Sequence, residues 1–209
     1  APVSPLAMGH VALDMDVFPM DNSQTRKEGV SYTYKGYDGY APIAAYLGQE
    51  GWGLGCELRP GSQHANNGFL DTLKRVLPRA RALTDKPILL RLDSAHDARD
   101  NRDFLREQKQ VDFLIKWNPR KQDPLAWAEK AQAQKAWMLD RNGKMEAVLS
   151  ENLSDEPGLR QIVKVTVRTS DAGGQLYLEP EVSLEGWITS LPAEVADEQQ
   201  IMAFYSDHA

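Results

Sequence analysis

Alternation of apolar and polar residues predicts the first strands of the chain. Between Val11 and Val17 apolar side chains occupy every second position, and this period predicts a strand. Two further strand-like runs, 41–47 and 52–58, are joined by a short turn with a glycine at each end, which is typical of an antiparallel hairpin. We therefore expect the chain to open with strands in a meander and no helix between them.

Helical periodicity begins after these strands. Apolar residues at helical spacing predict a helix over 66–77, and Pro78 is expected to end or kink it. A short buried strand at 87–93, a charged helix at 97–108 and another strand at 111–117 follow. This order of elements is typical of a mixed sheet with helices on its faces, and it argues against a doubly wound parallel sheet.

The pattern changes near the middle of the chain. Residues 119–185 contain a clean alternation at 160–169 and several glycine-containing turns, so we expect a mainly β insertion. A last strand at 187–191 and a helix over 193–208, with Pro192 just before it, are then predicted to return to the core. The predicted organisation is, in order, a first core segment, the insertion and a return segment: 1–118, 119–185 and 186–209.

Composition excludes several classes of protein. The longest apolar runs are far shorter than the roughly 20 residues of a membrane span, so we expect no membrane association. The start of the chain lacks the pattern of a secretory signal, and it also lacks an initiator Met, so we interpret the chain as a piece of a longer protein. The single cysteine, Cys56, suits a reducing cytosol and is expected to be buried in its strand.

The net charge of −6 argues against nucleic-acid binding when it is taken alone. Proteins that bind phosphates are usually basic, because binding releases the counterions condensed on the nucleic acid. Two explanations would reconcile an acidic chain with DNA. A metal-dependent nuclease carries carboxylates that its cations neutralise, and a fragment can lack the basic domains of the whole protein.

Acids on two predicted strands carry the candidate chemistry. Asp14 and Asp16 lie on the same face of the first strand, and Asp93 ends the strand at 87–93. Charged side chains are rarely buried unless they are paired or bind a metal. Two-metal phosphoryl transfer needs carboxylates that converge from different elements of the fold. Acids at strand ends are also common for purely structural reasons, so the residues alone leave both interpretations open.

Four motifs follow one another along the chain: Leu13–Asp16, Tyr34–Pro42, Leu90–Asp97 and Phe113–Arg120. Taken together and in this order, they resemble the DDE transposases of bacterial insertion sequences. The resemblance covers nearly the whole chain, and it implies an RNase H-like core with a mainly β insertion before the last strand and helix. In this family the first catalytic acid lies on the first strand and the second at the end of the fourth, and Asp16 and Asp93 match those positions. Asp14 is the weaker candidate for the first position, and Asp97 is a candidate to support Asp93.

The third acid of the resembling family is expected beyond the end of the chain. In relatives this Glu lies on a helix behind a Tyr and a basic residue, which Tyr205 and His208 match. The family spacing places the Glu at about position 212, past Ala209, so we expect the 209-residue chain to be inactive alone. Glu198, on the same predicted helix, is the alternative third acid.

The resemblance also implies the cofactors and partners. Asp16 and Asp93 would bind two Mg²⁺ or Mn²⁺ ions together with the third acid. The DNA partners would be transposon ends and a target, the protein would act as a dimer on paired ends, and its location would be the bacterial cytoplasm. The candidate DNA contacts are Lys116, Arg120, Lys121, Tyr205 and His208, although basic residues at a strand exit are commonly only solvated.

Aromatic and histidine residues have less specific interpretations. Trp127, Trp137 and Trp187 could include a platform for a flipped base, but core packing is the commoner role of tryptophan. His64 and His96 lack a second His or Cys at ligand spacing, which argues against a zinc site.

Two rival functions stay open at the level of sequence. The Asp14-x-Asp16 pattern also resembles the start of haloacid-dehalogenase-type phosphatases, whose first strand leads into helix-crossed parallel strands. The hairpin-connected strands predicted here argue against that class. A non-catalytic remnant that binds DNA without cutting it is the second rival, and the acids at both predicted positions argue against decay.

Overall fold

The computed structural model describes residues 2–120 and 122–207, and the chain divides into two compact units. The first unit runs to Ile115 and includes the chain again from Tyr205 onward, and the second comprises Lys116–Phe204. No helix within the described residues is both long enough and apolar enough to span a bilayer.

The first unit contains a mixed sheet, and the first strand of the chain lies at its centre. That strand, β1, spans Val11–Val17 as predicted. On one side lie two antiparallel strands, β5 (Ile43–Leu47) and then β6 (Trp52–Glu57). On the other side lie two strands parallel to β1, first β7 (Ile88–Leu92) and then β8 (Val111–Lys116). This arrangement confirms the predicted mixed sheet of an RNase H-like core. Because the next main-sheet strand after β1 is antiparallel to it, the phosphatase topology is excluded.

Helices connect the parallel strands. Helix α1 (Phe69–Arg81) precedes β7, and a 3-10 turn (Ser94–His96) and α2 (Arg99–Arg106) lie between β7 and β8. Leu73, Val76 and Leu77 bury one face of α1, as the helical spacing predicts.

We expected Pro78 to end or kink the first helix, and the helix does not end there. The helix continues to Arg81, and the amide of Ala82 donates to the carbonyl of Pro78. Pro78 therefore lies in the last turn, where its missing N–H removes a single helical hydrogen bond and the following residues can still close the helix.

A small second sheet lies between β1 and β5 in sequence. It pairs β4 (Asp38–Tyr40) with both β2 (Met20–Asp21) and β3 (Ser31–Tyr32). Gly39 sits in the middle strand, and a Cβ there would collide with the carbonyl of Met20. The strands can approach this closely only because the position is glycine.

The second unit consists mainly of an antiparallel sheet. Its strands are β9 (Trp137–Arg141), β10 (Lys144–Asn152), β11 (Arg160–Ser170) and β12 (Leu176–Thr189), each paired with the next along the chain. The strand predicted at 187–191 is therefore not a separate element. It is the end of a long strand that begins at Leu176.

Helices of the second part of the chain depart from the predictions. Helix α3 (Pro124–Ala133) begins the second unit, in a region expected to be mainly β. It packs on one face of the antiparallel sheet, over a core of Ala131, Ala147, Leu149, Val163 and Val165. The last helix, α4, spans Glu198–Ser206, so the prediction of a start at Ala193 was wrong. Turn hydrogen bonds from Val195 and Ala196 to the Pro192 carbonyl occupy the residues before it.

The predicted burial of Cys56 was also wrong. Cys56 is an exposed free thiol on β6. β6 is the outer strand beside β5 in the first unit, none of its residues is buried, and Cys56 is among the exposed ones.

Candidate active site

The two predicted catalytic acids lie side by side at the ends of neighbouring strands. In the parallel β1–β7 pair, Met15 is opposite Leu92, and the following residues are Asp16 and Asp93. Asp93 keeps an extended backbone, with φ −75° and ψ 174°, so the strand geometry continues through it. Residues in matching register on adjacent strands point to the same face, which places both carboxylates on one face of the sheet. The predicted adjacency of the two acid-bearing strands is confirmed.

Local hydrogen bonds fix one oxygen of each carboxylate. Oδ1 of Asp16 accepts from the amide of Val17 at 2.7 Å, and Oδ1 of Asp93 accepts from the amide of Ala95 at 3.1 Å. The second bond makes Asp93 the N-cap of the 3-10 turn that follows β7. Both acids are half-buried, so their carboxylates are held in place and are still within reach of solvent.

Asp14 has a different role from its neighbour. It is buried and forms a two-point ion pair with Arg91, with Oδ1–Nε and Oδ2–Nη2 distances of 2.6 Å. The register of β1 and β7 places these residues directly opposite each other. Paired in this way, Asp14 is a structural residue of the sheet, and Asp16 is the better match to the first catalytic position.

A cavity of about 600 Å³ opens beside the acid pair. Asp93, Ala95 and Val17 line its floor, at the ends of β7 and β1. The remaining walls come from the hairpin turn after β3 and from the loop that follows β6, and they include Tyr32, Thr33, Tyr34, Gly36, Gly61, Ser62, Gln63, His64 and Ala65.

Both acids act electrostatically on the hydroxyl of Tyr34. Partial burial, followed by the negative charges of Asp16 and Asp93, raises the pKa of the Tyr34 hydroxyl above its ordinary value. Both carboxylates therefore act on one phenol at the edge of the cavity, and the hydroxyl stays protonated at neutral pH.

His96 lies beneath Asp93 as a neutral side chain. Its Nε2 is 3.6 Å from Oδ1 of Asp93, and its ring packs against Phe69 with centroids 4.0 Å apart. Complete burial, with the positive charges of Arg59 and His64, lowers the pKa of His96 to about 3. At neutral pH this contact joins a neutral imidazole to a carboxylate, and it is not a salt bridge.

Two residues that the sequence did not indicate hold the walls of the cavity. Arg59 is buried and donates to the carbonyls of His64, Ala65 and Asn67. Asn101, buried on α2, donates to the side chain of Asn66 and to the carbonyl of His96. These bonds join the loop after β6 to the turn after Asp93. Arg59 bonds to carbonyls of an irregular loop that has no periodic pattern, and Asn101 bonds to Asn66, 35 residues away in sequence, so the periodicity of the chain predicts neither.

Comparison with known families decides the relationship. Residues 5–170 match the family described as transposase DDE domain group 1. The chain belongs to this family. The matched range includes both acid positions and extends through β11 of the second unit. In this transposase domain the expected metal ligands are carboxylates, and the described residues contain no group of three or more His, Cys, Asp or Glu side chains arranged to hold a metal ion.

No curated protein matches the chain. Among solved structures, it is similar to one chain of the piggyBac transposase synaptic complex with hairpin DNA, with 11% sequence identity and a TM-score of 0.45. The alignment covers 98% of this chain and 38% of that one, so the transposase domain described here spans well under half of its neighbour's length.

The predicted DNA-contact residues lie mainly around the start of the second unit. The ammonium of Lys116 pairs with Glu185 and lies 4.2 Å from the centroid of the Trp187 ring. Arg120 is exposed and has a left-handed backbone, with φ 44°, and its amide donates to the side chain of Asn118. Tyr205 is half-buried in the last turn of α4. Lys121 and His208 lie outside the described residues.

The alternative third acid and the supporting acid each have a basic partner. Glu198 accepts from Nη1 of the buried Arg160 at 3.1 Å, at the start of α4. Asp97 is buried and pairs with Arg102 of α2. These contacts give both carboxylates a structural role in the transposase domain.

The tryptophans of the second unit pack mainly inside it. Trp127 and Trp137 lie against the core beneath α3, and Trp127 meets Trp117 edge to face with centroids 5.8 Å apart. Trp187 is 3% exposed on β12. Packing therefore accounts for these rings better than a base platform does.

Proposed function

We propose that Asp16 and Asp93 supply two carboxylates of a metal-dependent centre that cleaves DNA and transfers the cut strand at the ends of an insertion sequence. The observation that carries this proposal is the register of β1 and β7, which sets the two acids side by side in a chain of the DDE family. Two carboxylates of like charge on adjacent strands favour a cation between them.

The donor set fits Mg²⁺ or Mn²⁺. Carboxylate oxygens are the ligands that these hard cations prefer, and the sites in other enzymes of this chemistry hold two ions. When bound, the ions would activate a water or a 3′-hydroxyl and stabilise the leaving oxygen of the phosphodiester. The chain's own contribution is to orient Asp16 through the Val17 amide and Asp93 through the Ala95 amide, with Asp93 lining the cavity and Asp16 beside it on the neighbouring strand.

Further parts of the proposal concern DNA and assembly. Arg120, Lys121, Tyr205 and His208 would contact phosphates, and Lys116 would do so only by exchanging Glu185 for a phosphate. The protein would act as a dimer on paired transposon ends in the bacterial cytoplasm. Residues 119–185 would serve as an insertion in the catalytic core, and residues 186–209 would return to that core.

A nicking assay on supercoiled plasmid tests the function. A protein in which this chain continues past Ala209 is expected to nick DNA with Mg²⁺ or Mn²⁺, and the 209-residue chain is expected not to. Asp93→Asn and Asp16→Asn should each abolish nicking. Asp85→Asn is the matched control, because Asp85 is exposed just before β7, at the opposite end of the same strand.

The outcomes separate the alternatives. Undiminished nicking by Asp93→Asn would contradict the assignment of the second acid. Nicking by the 209-residue chain that Glu198→Gln abolishes would place the third acid within this chain. DNA binding without metal-dependent nicking in any form would favour the non-catalytic remnant.

A further inference from the structure

The cavity beside the acid pair has aromatic walls exposed to solvent. Tyr32 and Tyr34 line it and are 67% and 68% exposed, unlike the tryptophans packed inside the second unit. Exposed aromatic rings at the mouth of a cavity retain faces on which a planar group can stack. Neither ring fills a core, so both rings are accessible to a ligand that enters the cavity.

A hairpin turn holds Tyr34 at this position. The amide of Thr33 donates to the carbonyl of Tyr37, and the amide of Gly36 donates to the carbonyl of Thr33. Gly36 has φ 89°, a conformation that glycine adopts readily and that closes the turn. Tyr34 and Lys35 are therefore at the tip of a closed hairpin, near enough to the acids for both carboxylates to act on the Tyr34 phenol.

The opposite wall is equally well fixed. A Cβ on Gly61 would collide with the carbonyl oxygens of Ser31 and Gly39, so this loop lies directly on the small sheet. The amide of Ser62 donates to the hydroxyl of Ser31 at 2.9 Å, and Arg59 holds the residues that follow. The cavity is thus preformed, which reduces the entropy lost when a ligand binds.

The chemistry around the cavity combines a planar surface with a cation. Nζ of Lys35 lies 5.4 Å from the centroid of the Tyr34 ring, at the tip of the same hairpin. A ligand with a flat unsaturated ring and an attached phosphate matches this pair of side chains. The cavity volume falls within the usual range of about 300–1,000 Å³ for small-molecule sites, which is ample for a nucleotide.

We propose that this cavity binds one unpaired nucleobase of the DNA strand next to the phosphodiester held at Asp16 and Asp93. Tyr34 and Tyr32 provide the stacking surfaces, and Lys35 contacts the adjoining phosphate. The inference rests on the proposed function, because the acid pair supplies the reason for a phosphodiester to lie beside the cavity. Base–aromatic stacking tolerates any sequence, so the pocket selects an unstacked base and not a particular one.

A sequence-independent probe tests the pocket on the 209-residue chain with Mg²⁺. The probe is a short single strand that carries one 2-aminopurine flanked by abasic nucleotides, so that only one base is available for stacking. Binding should quench the 2-aminopurine fluorescence, and a fully abasic strand should bind about tenfold more weakly. Tyr34→Ala should weaken binding of the probe by about the same factor, and Tyr34→Phe should retain both affinity and quenching.

A matched control and a second measurement guard against loss of folding or low affinity. Tyr46→Ala removes another exposed tyrosine, which lies on β5 and does not line the cavity, and it should bind the probe like the unchanged chain. With 5-iododeoxyuridine in place of 2-aminopurine, photocrosslinking should label the peptide that contains Tyr32 and Tyr34. Labelling confined to other peptides would overturn the pocket.

The outcomes distinguish this inference from the proposed function. Quenching that persists in the Tyr32→Ala/Tyr34→Ala double variant overturns the base pocket. So does equal binding of the abasic strand. If Asp16 and Asp93 variants abolish nicking while Tyr34→Ala nicks normally, the function stands and the pocket fails. If stacking depends on Tyr34 and no form of the protein nicks DNA, the pocket stands and the function fails.

Discussion

Two neighbouring positions of the β1–β7 pair carry charged side chains in opposite arrangements. In the buried middle of the sheet, Asp14 faces Arg91, and the chain supplies both charges of the pair. Two residues further on, Asp16 and Asp93 set two negative charges side by side, and Asp93 lines a cavity. The comparison teaches that an acid on a strand is not by itself a functional signal. What lies opposite it in register decides whether it has a structural or a chemical role.

Breaking the buried pair should produce the largest effect. Arg91→Met leaves Asp14 as a buried charge without its bidentate partner, which should lower the free energy of unfolding by about 3–5 kcal/mol. Urea denaturation at neutral pH measures it. The double variant Asp14→Leu/Arg91→Met should recover most of the loss, because two apolar residues need no compensation. A loss below about 1 kcal/mol in the single variant would show that the pair is not structural.

The buried imidazole beneath Asp93 should make stability depend on pH. The pKa of His96 is lowered from 6.5 to about 3 in the folded chain, so the unfolded chain binds a proton there between these values and the folded chain does not. Stability should therefore fall as the pH drops below about 6.5, by roughly 2 kcal/mol at pH 5. Urea denaturation with EDTA present measures this slope.

The matched variants for the imidazole are His96→Gln and His64→Gln. The first should flatten the dependence between pH 6.5 and 5, since it removes the titrating group. The second should retain it, because His64 is an exposed residue of the cavity wall. An unchanged slope in His96→Gln would assign the pH dependence to another group.

Neutralising one acid of the site should alter metal binding more than stability. Mn²⁺ at about ten times its dissociation constant should raise the Tm of the chain by about 3 °C. Asp93→Asn should abolish this rise, and without metal its Tm should be unchanged or slightly higher because two like charges no longer adjoin. Asparagine can still accept from the Ala95 amide, so the turn should persist. A full Tm rise in Asp93→Asn would count against the site.

An exposed ion pair provides the smallest effect and the sharpest contrast with Asp14 and Arg91. Glu185, whose side chain is 50% exposed, pairs with Lys116. Glu185→Gln should change the free energy of unfolding by less than about 1 kcal/mol, since solvent screens the pair. Urea denaturation of Glu185→Gln and Arg91→Met under the same conditions compares the two losses of stability directly. Equal losses in the two variants would mean that burial does not govern the strength of ion pairs in this chain.

Sequence periodicity predicted the first unit well because the apolar residues of each strand and helix recur at regular spacing within a short segment. The alternation at Val11–Val17 matches β1 residue for residue, and the hairpin after it is β5 and β6. The two acids could be paired in advance only through the family resemblance, since the register of β1 on β7 joins residues far apart in sequence. The same reason hid Asn101, whose partner Asn66 lies in the loop after β6, whereas Arg59 bonds within its own irregular loop, which has no periodic pattern.

The second unit was predicted less well, for different reasons. Helix α3 has a start signal in the sequence, an Asp123 N-cap with Pro124 in the first turn. The prediction of a mainly β region was based on the alternation and turns that follow the helix. Strand β12 includes Pro180 in an exposed stretch, and a proline within a run weakens any prediction of a continuous strand. Helix α3 is stabilised by packing on the sheet and β12 by pairing with β11. Contacts of this kind cannot be read from the local pattern of one sequence.

The close approach at Gly61 affects how the site would be found by mutation. Any side chain there would push the loop off the small sheet and distort the cavity wall, so an activity screen would score Gly61 as intolerant alongside the acids. A position that performs no chemistry would thus carry the same signature as one that does. Only a screen that also reads the abundance of folded protein would separate the framework of this pocket from its reacting groups.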